Sequence, residues 1–168
     1  MMNKSILTLL ASVLVLLSSC DLLNCTQADV SLLRIEIYDA AGNKVMLPDT
    51  LTVSASGTEA ILVNRDVNTQ EILLPMSYHA PVDTFILRYY SDYYSLEDTL
   101  FVAKTNDVFF ESPDCPTVMM HTIQSASCTD EFLGSVEVVN GKVNFEDVTH
   151  LKLFVQGEQS ASRMPHEE

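Results

Sequence analysis

The sequence predicts an all-β domain, an antiparallel β-sandwich of the immunoglobulin-like or transthyretin-like kind. Its composition is typical of strands, since it is rich in Val, Ile, Leu, Thr and Tyr and holds only 5 Gly and no Trp. Short runs of alternating apolar and polar residues recur along the chain, and turn-forming residues separate them. No segment has the pattern of an amphipathic helix of three turns. These observations favour two packed sheets of short strands.

Alternation is clearest in the first predicted strand, where Leu33, Ile35 and Ile37 share one face. The strongest hairpin signal is Asn140-Gly141, because both central positions of a type I′ turn need a positive φ. An earlier turn is predicted at 41–43. The remaining strands are predicted at 45–48, 50–55, 59–63, 71–75, 83–90, 97–103, 107–111, 117–124, 135–139, 142–145 and 151–155.

The N-terminus predicts a lipoprotein signal peptide over residues 1–19. Lys4 precedes an almost wholly apolar stretch at 6–17, which is the pattern of a secretory signal. This stretch is shorter than the roughly 20 residues that a membrane-spanning helix needs. Residues 17–20, Leu-Ser-Ser-Cys, have the form of a lipobox, in which lipid is attached to Cys20 and cleavage falls before it. An ordinary cleaved signal with a chance cysteine is the alternative.

Cleavage before Cys20 divides the rest of the chain into three parts. These are a lipidated tether at 20–29, the β-sandwich domain at 30–156 and a polar tail at 157–168. The chain has 9 basic and 23 acidic residues and a net charge of −14, which argues against nucleic acid as a partner. The predicted membrane partner is reached through acyl chains, palmitate among them, on Cys20.

Several segments resemble a family of uncharacterised lipoproteins from Bacteroidota, a family classed as a domain of unknown function. The resemblance rests on Cys25, on the strand sequences at 34–39, 98–102 and 151–155, and on Phe-Phe-Glu-Ser-Pro-Asp-Cys at 109–115. It implies an all-β lipoprotein domain and assigns no activity. It also favours the outer membrane as the place of the lipid anchor.

Lipidation of Cys20 leaves three thiols, at Cys25, Cys115 and Cys128, of which two should pair in an oxidising envelope. Loop-closure entropy leaves the pair open, because closing either the 25–115 or the 115–128 loop is stabilising. The resemblance favours a Cys25–Cys115 disulfide, with Cys128 as the alternative partner. No cysteine spacing suits a metal, so neither a metal site nor a cofactor is predicted.

No arrangement of residues predicts catalysis. None of the four histidines lies in a known catalytic motif, and the acid pair Glu97-Asp98 should point to opposite faces of a strand. The unusual segment is 88–94, which holds four of the six tyrosines around a predicted turn. Large amphipathic rings at a loop tip make good recognition surfaces, and packing into the core is the alternative. The candidate ligand-binding residues are Arg88, Tyr89, Tyr93 and Tyr94, with a glycan or an envelope protein as the partner.

The sequence therefore predicts a non-enzymatic lipoprotein, lipid-anchored in the cell envelope, that acts as a binding or assembly module. A structural or accessory subunit of an outer-membrane or pilus-like assembly is the alternative.

Overall fold

The computed structural model describes Cys25 and residues 30–113 and 115–156. The predicted signal peptide, Cys20, the tether apart from Cys25, and the tail at 157–168 lie outside the described residues. Within them the chain forms ten strands and no helix. In chain order the strands are β1 (Leu32–Tyr38), β2 (Thr50–Ala55), β3 (Ile61–Asp66), β4 (Glu71–Pro75), β5 (Val82–Tyr90), β6 (Ser95–Phe109), β7 (Val118–Cys128), β8 (Leu133–Val138), β9 (Lys142–Val143) and β10 (Leu151–Val155).

The strands pack as two sheets, which confirms the predicted all-β fold and agrees with a β-sandwich. The four-stranded sheet has the order β4-β1-β10-β8, and the six-stranded sheet has the order β3-β2-β5-β6-β7-β9. Every pairing between named strands is antiparallel except that of β1 with β10, in which Ile35 lies opposite Leu151. The predicted antiparallel sandwich is therefore mixed at the centre of its smaller sheet, because the first and last strands meet there in parallel.

The core lies between the sheets and is built from alternate residues of the strands. In β1, Leu33, Ile35 and Ile37 are fully buried, as their alternation predicts. In β5, Phe85 and Leu87 face the same core. Burying a side chain of this size contributes about 1.5–3 kcal/mol relative to leaving it exposed. The inner faces of the two sheets therefore hold the domain together.

The turn predicted at 41–43 is present, whereas the short strand predicted after it is not. Gly42 has a φ of 85°, a left-handed conformation that glycine adopts without strain. The Asp39 carboxylate accepts two backbone N–H bonds within this turn. The stretch at 45–48 forms no named strand and leaves only isolated bridges, which involve Lys44 and Leu47.

β6 is one strand of 15 residues, where the sequence predicts two strands at 97–103 and 107–111. The pairing with β7 shifts register between Ala103 and Lys104. The extra residue of this bulge lies on β7, so β6 keeps its alternation, and Lys104 and Asn106 face the same side as the buried Val102. Lys104 and Asn106, which lie between the two predicted strands, are therefore inward-facing strand residues.

β6 is the longest strand of the described residues. Because a strand rises about 3.3 Å per residue, this strand extends over about 46 Å. The β5–β6 turn at 91–94 lies at one end of it, and the β6–β7 loop at 110–117 lies at the other. These two connections therefore occupy opposite ends of the molecule.

The hairpin predicted at Asn140-Gly141 is wrong. β8 belongs to the four-stranded sheet and β9 to the six-stranded sheet, so these residues carry the chain from one sheet to the other. Gly141 does not have a positive φ. Its carbonyl accepts a hydrogen bond from the Ile123 N–H at 2.7 Å, and a Cβ at this position would lie 3.2 Å from the Ile123 carbonyl oxygen. Close approach to β7, rather than a type I′ turn, explains the glycine.

Asp98 organises the connection between β7 and β8. Its side chain is buried, while the neighbouring Glu97 is exposed, as the alternation of a strand predicts. A buried carboxylate needs several donors to offset its lost hydration. Asp98 has four, namely the Thr129 hydroxyl and the backbone N–H groups of Glu131, Phe132 and Leu133. Asp98 therefore has a structural role, whereas Glu97 is exposed to solvent.

Candidate functional site

The tyrosine-rich segment at 88–94 forms the end of β5 and a tight turn into β6. Ser91 organises this turn, because its N–H donates to the Tyr94 carbonyl at 3.0 Å. Its hydroxyl oxygen accepts the N–H groups of Tyr93 and Tyr94 at 3.1 and 3.2 Å. Tyr93 lies at the tip, and its side chain is 91% exposed. The turn therefore presents one aromatic ring to solvent.

Tyr89 and Tyr94 belong to the packing of the sandwich. The buried Tyr89 ring stacks on Phe132 with centroids 5.6 Å apart and contacts the Tyr94 ring at 6.1 Å. Its hydroxyl donates to the Asp49 carboxylate at 3.3 Å, and burial raises the pKa of Tyr89 to about 12. Tyr94 is half-buried against the core, and its hydroxyl lies 3.5 Å from the same carboxylate. These two rings therefore close the end of the core.

Arg88 points away from Tyr89, because successive residues of a strand face opposite sides. Its Nε donates to Glu97 Oε2 at 2.6 Å on the outer face of the six-stranded sheet. The four predicted ligand-binding side chains, Arg88, Tyr89, Tyr93 and Tyr94, therefore do not share one surface. Of the four, Tyr93 has the ring exposed at the tip of the turn, and ligand binding by these residues stays a prediction.

The two tyrosines at the turn should respond differently to truncation. Tyr94→Ala removes a ring that packs on Tyr89, so we expect it to lower the free energy of unfolding by about 2 kcal/mol. Tyr93→Ala removes an exposed ring and should change that free energy by less than about 0.5 kcal/mol. Urea denaturation of the two variants measures the difference. Equal effects of the two substitutions would contradict this division between packing and exposed tyrosines.

The opposite end of the domain carries the disulfide. The sulfur atoms of Cys25 and Cys115 lie 2.10 Å apart, and their Cα atoms lie 5.7 Å apart. This is the pair that the resemblance favours, and it joins the chain ahead of β1 to the loop between β6 and β7. The alternative partner, Cys128, has a free thiol that is partly buried at the end of β7, and burial raises its pKa.

A buried polar cluster that was not predicted centres on Lys104. Its ammonium group has no exposed surface and lies 3.5 Å from Asp83 Oδ2. It donates to the carbonyl oxygens of Ser77 and Ala80 at 2.5 and 2.9 Å and to Asn106 Oδ1 at 2.6 Å. Burial lowers the pKa of Lys104 and raises the pKa of Asp83, and the attraction between the two charges opposes both shifts.

The Lys104 cluster links the six-stranded sheet by hydrogen bonds to the segment that connects the two sheets. Ser77 and Ala80 belong to the segment that leads from β4 in the smaller sheet to β5 in the larger one. The backbone N–H of Lys104 also donates to the Pro81 carbonyl in that segment, at 2.8 Å. Because the ammonium group is enclosed, it can hold this crossover but cannot reach a substrate. The sequence signal is strand alternation, because Lys104 continues the inward-facing series of Leu100 and Val102.

His121 lies beside this cluster in a defined tautomer. Asn106 Oδ1 accepts from Lys104, and Asn106 Nδ2 donates to the Ala80 carbonyl, so the His121 Nδ1 at 2.8 Å from Oδ1 must donate. Its Nε2 is buried and has no hydrogen-bond partner among the described residues. Burial, and then the charge of Lys104, lowers the pKa of His121 to about 4. The ring is therefore neutral at pH 7 and belongs to the packing.

Two kinds of feature are absent from the part of the chain that the structure describes. Among Cys25 and residues 30–113 and 115–156, no three His, Cys, Asp or Glu side chains converge in a way that would hold a metal ion. Within the same part of the chain, no helix has the length and apolar character that a membrane crossing requires.

Comparison with known proteins places the chain in a family. A family model described as a family of unknown function (DUF6452) matches residues 50–155. The chain belongs to the DUF6452 family. The predicted membership of a family of unknown function is therefore confirmed. No curated protein and no solved structure matches the chain.

The DUF6452 match runs from the start of β2 to the end of β10. The tyrosine turn, the Lys104 cluster and Cys115 all fall inside it. β1 and Cys25 precede it, so the disulfide joins a residue outside the DUF6452 match to one inside it.

Proposed function

We propose that this protein is a lipid-anchored lipoprotein of a bacterial cell envelope that acts as a binding or assembly module and catalyses no reaction. The observation that carries the proposal is the Cys25–Cys115 disulfide. Such bonds form and persist in oxidising compartments outside the cytoplasm. Cys25 stands five residues after Cys20, the last residue of the lipobox. Export with lipidation accounts for the chemistry of both cysteines.

The placement of the polar side chains supports binding rather than catalysis. Burial lowers the pKa of both Lys104 and His121, and both side chains are enclosed where no substrate reaches them. Perturbed groups of this kind indicate active sites only when they line an accessible cleft. The exposed Tyr93 ring is instead suited to stacking on a sugar or packing on a protein. We infer a glycan or another envelope protein as the partner.

The resemblance to Bacteroidota lipoproteins supports the outer membrane as the anchoring site. The acyl chains on Cys20 supply the membrane affinity, because two or more chains hold a protein stably while one does not. The net charge of −14 argues against nucleic acid as a partner, since an acidic domain is repelled by an anionic polymer.

Metabolic labelling with an alkyne fatty acid tests the proposal in a host that processes lipoproteins. We expect the native chain to be labelled and Cys20→Ala to carry no label, because the thiol of that residue is the attachment point. Cys128→Ala is the matched control and should be labelled like the native chain. A native chain that takes up no label, or a Cys20→Ala variant that still does, overturns the proposal.

A further inference from the structure

The distance along the chain from the lipidation site to the disulfide limits how the domain sits on a membrane. Cys25 follows Cys20 by five residues, and an extended chain spans at most about 3.6 Å per residue, or about 18 Å in all. The Cα atom of Cys25 lies 5.7 Å from that of Cys115. The lipid is therefore held close to the β6–β7 loop, whereas β6 alone extends over about 46 Å.

The same end of the domain exposes apolar side chains. Val108 is 57% exposed and Phe110 is 65% exposed, where β6 ends and the loop begins. Met119 pairs with Val108, and its carbonyl accepts a hydrogen bond from the Ser31 hydroxyl at 2.7 Å. The chain ahead of β1 therefore runs along β7 at the level of Val108, one strand away from it. Exposed rings and aliphatic side chains next to a lipid anchor are suited to the interface of a bilayer.

We propose that this end of the domain rests on the lipid interface, with Val108 and Phe110 in contact with the headgroup and acyl-chain boundary. The occupant of the surface is the bilayer that holds the lipid on Cys20, so the inference rests on the proposed function. Asp107 and Glu111 flank these side chains, which favours a zwitterionic surface over an anionic one. The Tyr93 turn then points away from the membrane, at the far end of β6.

Tryptophan fluorescence tests this orientation, since the chain has no Trp of its own. Phe110→Trp and Tyr93→Trp each introduce a single reporter, one at each end of the domain. The full lipidated protein is reconstituted in phosphatidylcholine vesicles with and without bromine on the acyl chains. We expect bromine to reduce the emission of Phe110→Trp about twofold or more, because an interfacial side chain reaches the acyl boundary. The emission of Tyr93→Trp should not change.

Flotation of the vesicles separates the two claims. If the protein floats with the vesicles but Phe110→Trp is not quenched, or if Tyr93→Trp is quenched equally, the orientation is overturned and the anchor stands. If the protein does not float, the anchor and the orientation are both overturned.

A tether variant tests the reach argument directly. A flexible Gly/Ser insertion of about 20 residues after Asn24 leaves the lipid, the disulfide and the domain in place. Because the lengthened tether no longer holds the domain close to the bilayer, the quenching of Phe110→Trp should fall. Unchanged quenching would mean that Val108 and Phe110 bind the interface without help from the tether, and it would overturn the role assigned to the tether.

Discussion

Lys104→Met is expected to lower the free energy of unfolding by about 3–5 kcal/mol, because removing one partner of a buried ion pair leaves the other charge without compensation. Asp83 is 6% exposed and, among the described residues, would keep only the Ser77 N–H as a hydrogen-bond donor. The carbonyl oxygens of Ser77 and Ala80 would lose the ammonium group that holds the crossover. Methionine is a suitable replacement, since it retains most of the side-chain volume.

Urea denaturation measures this loss of unfolding free energy, and two further variants serve as controls. Lys142→Met removes an exposed lysine and should change the free energy of unfolding by less than about 0.5 kcal/mol. The double variant Lys104→Met, Asp83→Asn removes both charges, so it should cost less than the sum of the two single variants. A cost below about 1 kcal/mol for Lys104→Met would contradict a clamp between the sheets.

Replacing both Cys25 and Cys115 with serine is expected to lower the free energy of unfolding by about 4.6 kcal/mol on the chain-entropy model. The two residues are 90 apart in sequence, so the bond removes much of the conformational freedom of the unfolded chain. The variant also releases the segment ahead of β1 from the β6–β7 loop. Both effects act in the same direction.

Thermal and urea denaturation of the oxidised native domain and the double serine variant measure the effect. Cys128→Ser is the matched control, because its thiol is free and should contribute little. Addition of a reductant should destabilise the native domain and leave the double serine variant unchanged. If Cys128→Ser were as damaging as the double variant, the pairing in solution would involve Cys128.

The parts of the fold that the sequence predicted are those fixed by local pattern. Leu33, Ile35 and Ile37 alternate strictly, and one face of β1 is buried as that alternation requires. The turn at Gly42 follows from local chemistry in the same way, since glycine adopts a positive φ without strain. Neither feature depends on which strand lies next to which.

The parts that the sequence did not predict depend on contacts between distant segments. Alternation alone turns Lys104 inward, but its burial as a charged group depends on the carbonyl oxygens of Ser77 and Ala80 in a distant segment. Asn140-Gly141 connects the two sheets. Glycine is needed there because Gly141 passes close to Ile123 on β7. Tyr94 is a packing residue because Tyr89 and Asp49 lie beside it. Each of these features depends on a contact with a distant segment, and a local sequence pattern carries no information about that contact.

Peptide mapping of the protein extracted from membranes tests the central claim most directly. Trypsin cleaves after Arg34, so the fragment 20–34 contains both Cys20 and Cys25, and the fragment 105–142 contains Cys115 and Cys128. Without reduction, the account predicts one linked species, in which the first fragment begins at a lipidated Cys20 and its Cys25 is bonded to Cys115. A first fragment that begins elsewhere or lacks lipid, or a Cys25 that is free or bonded to Cys128, would contradict the account.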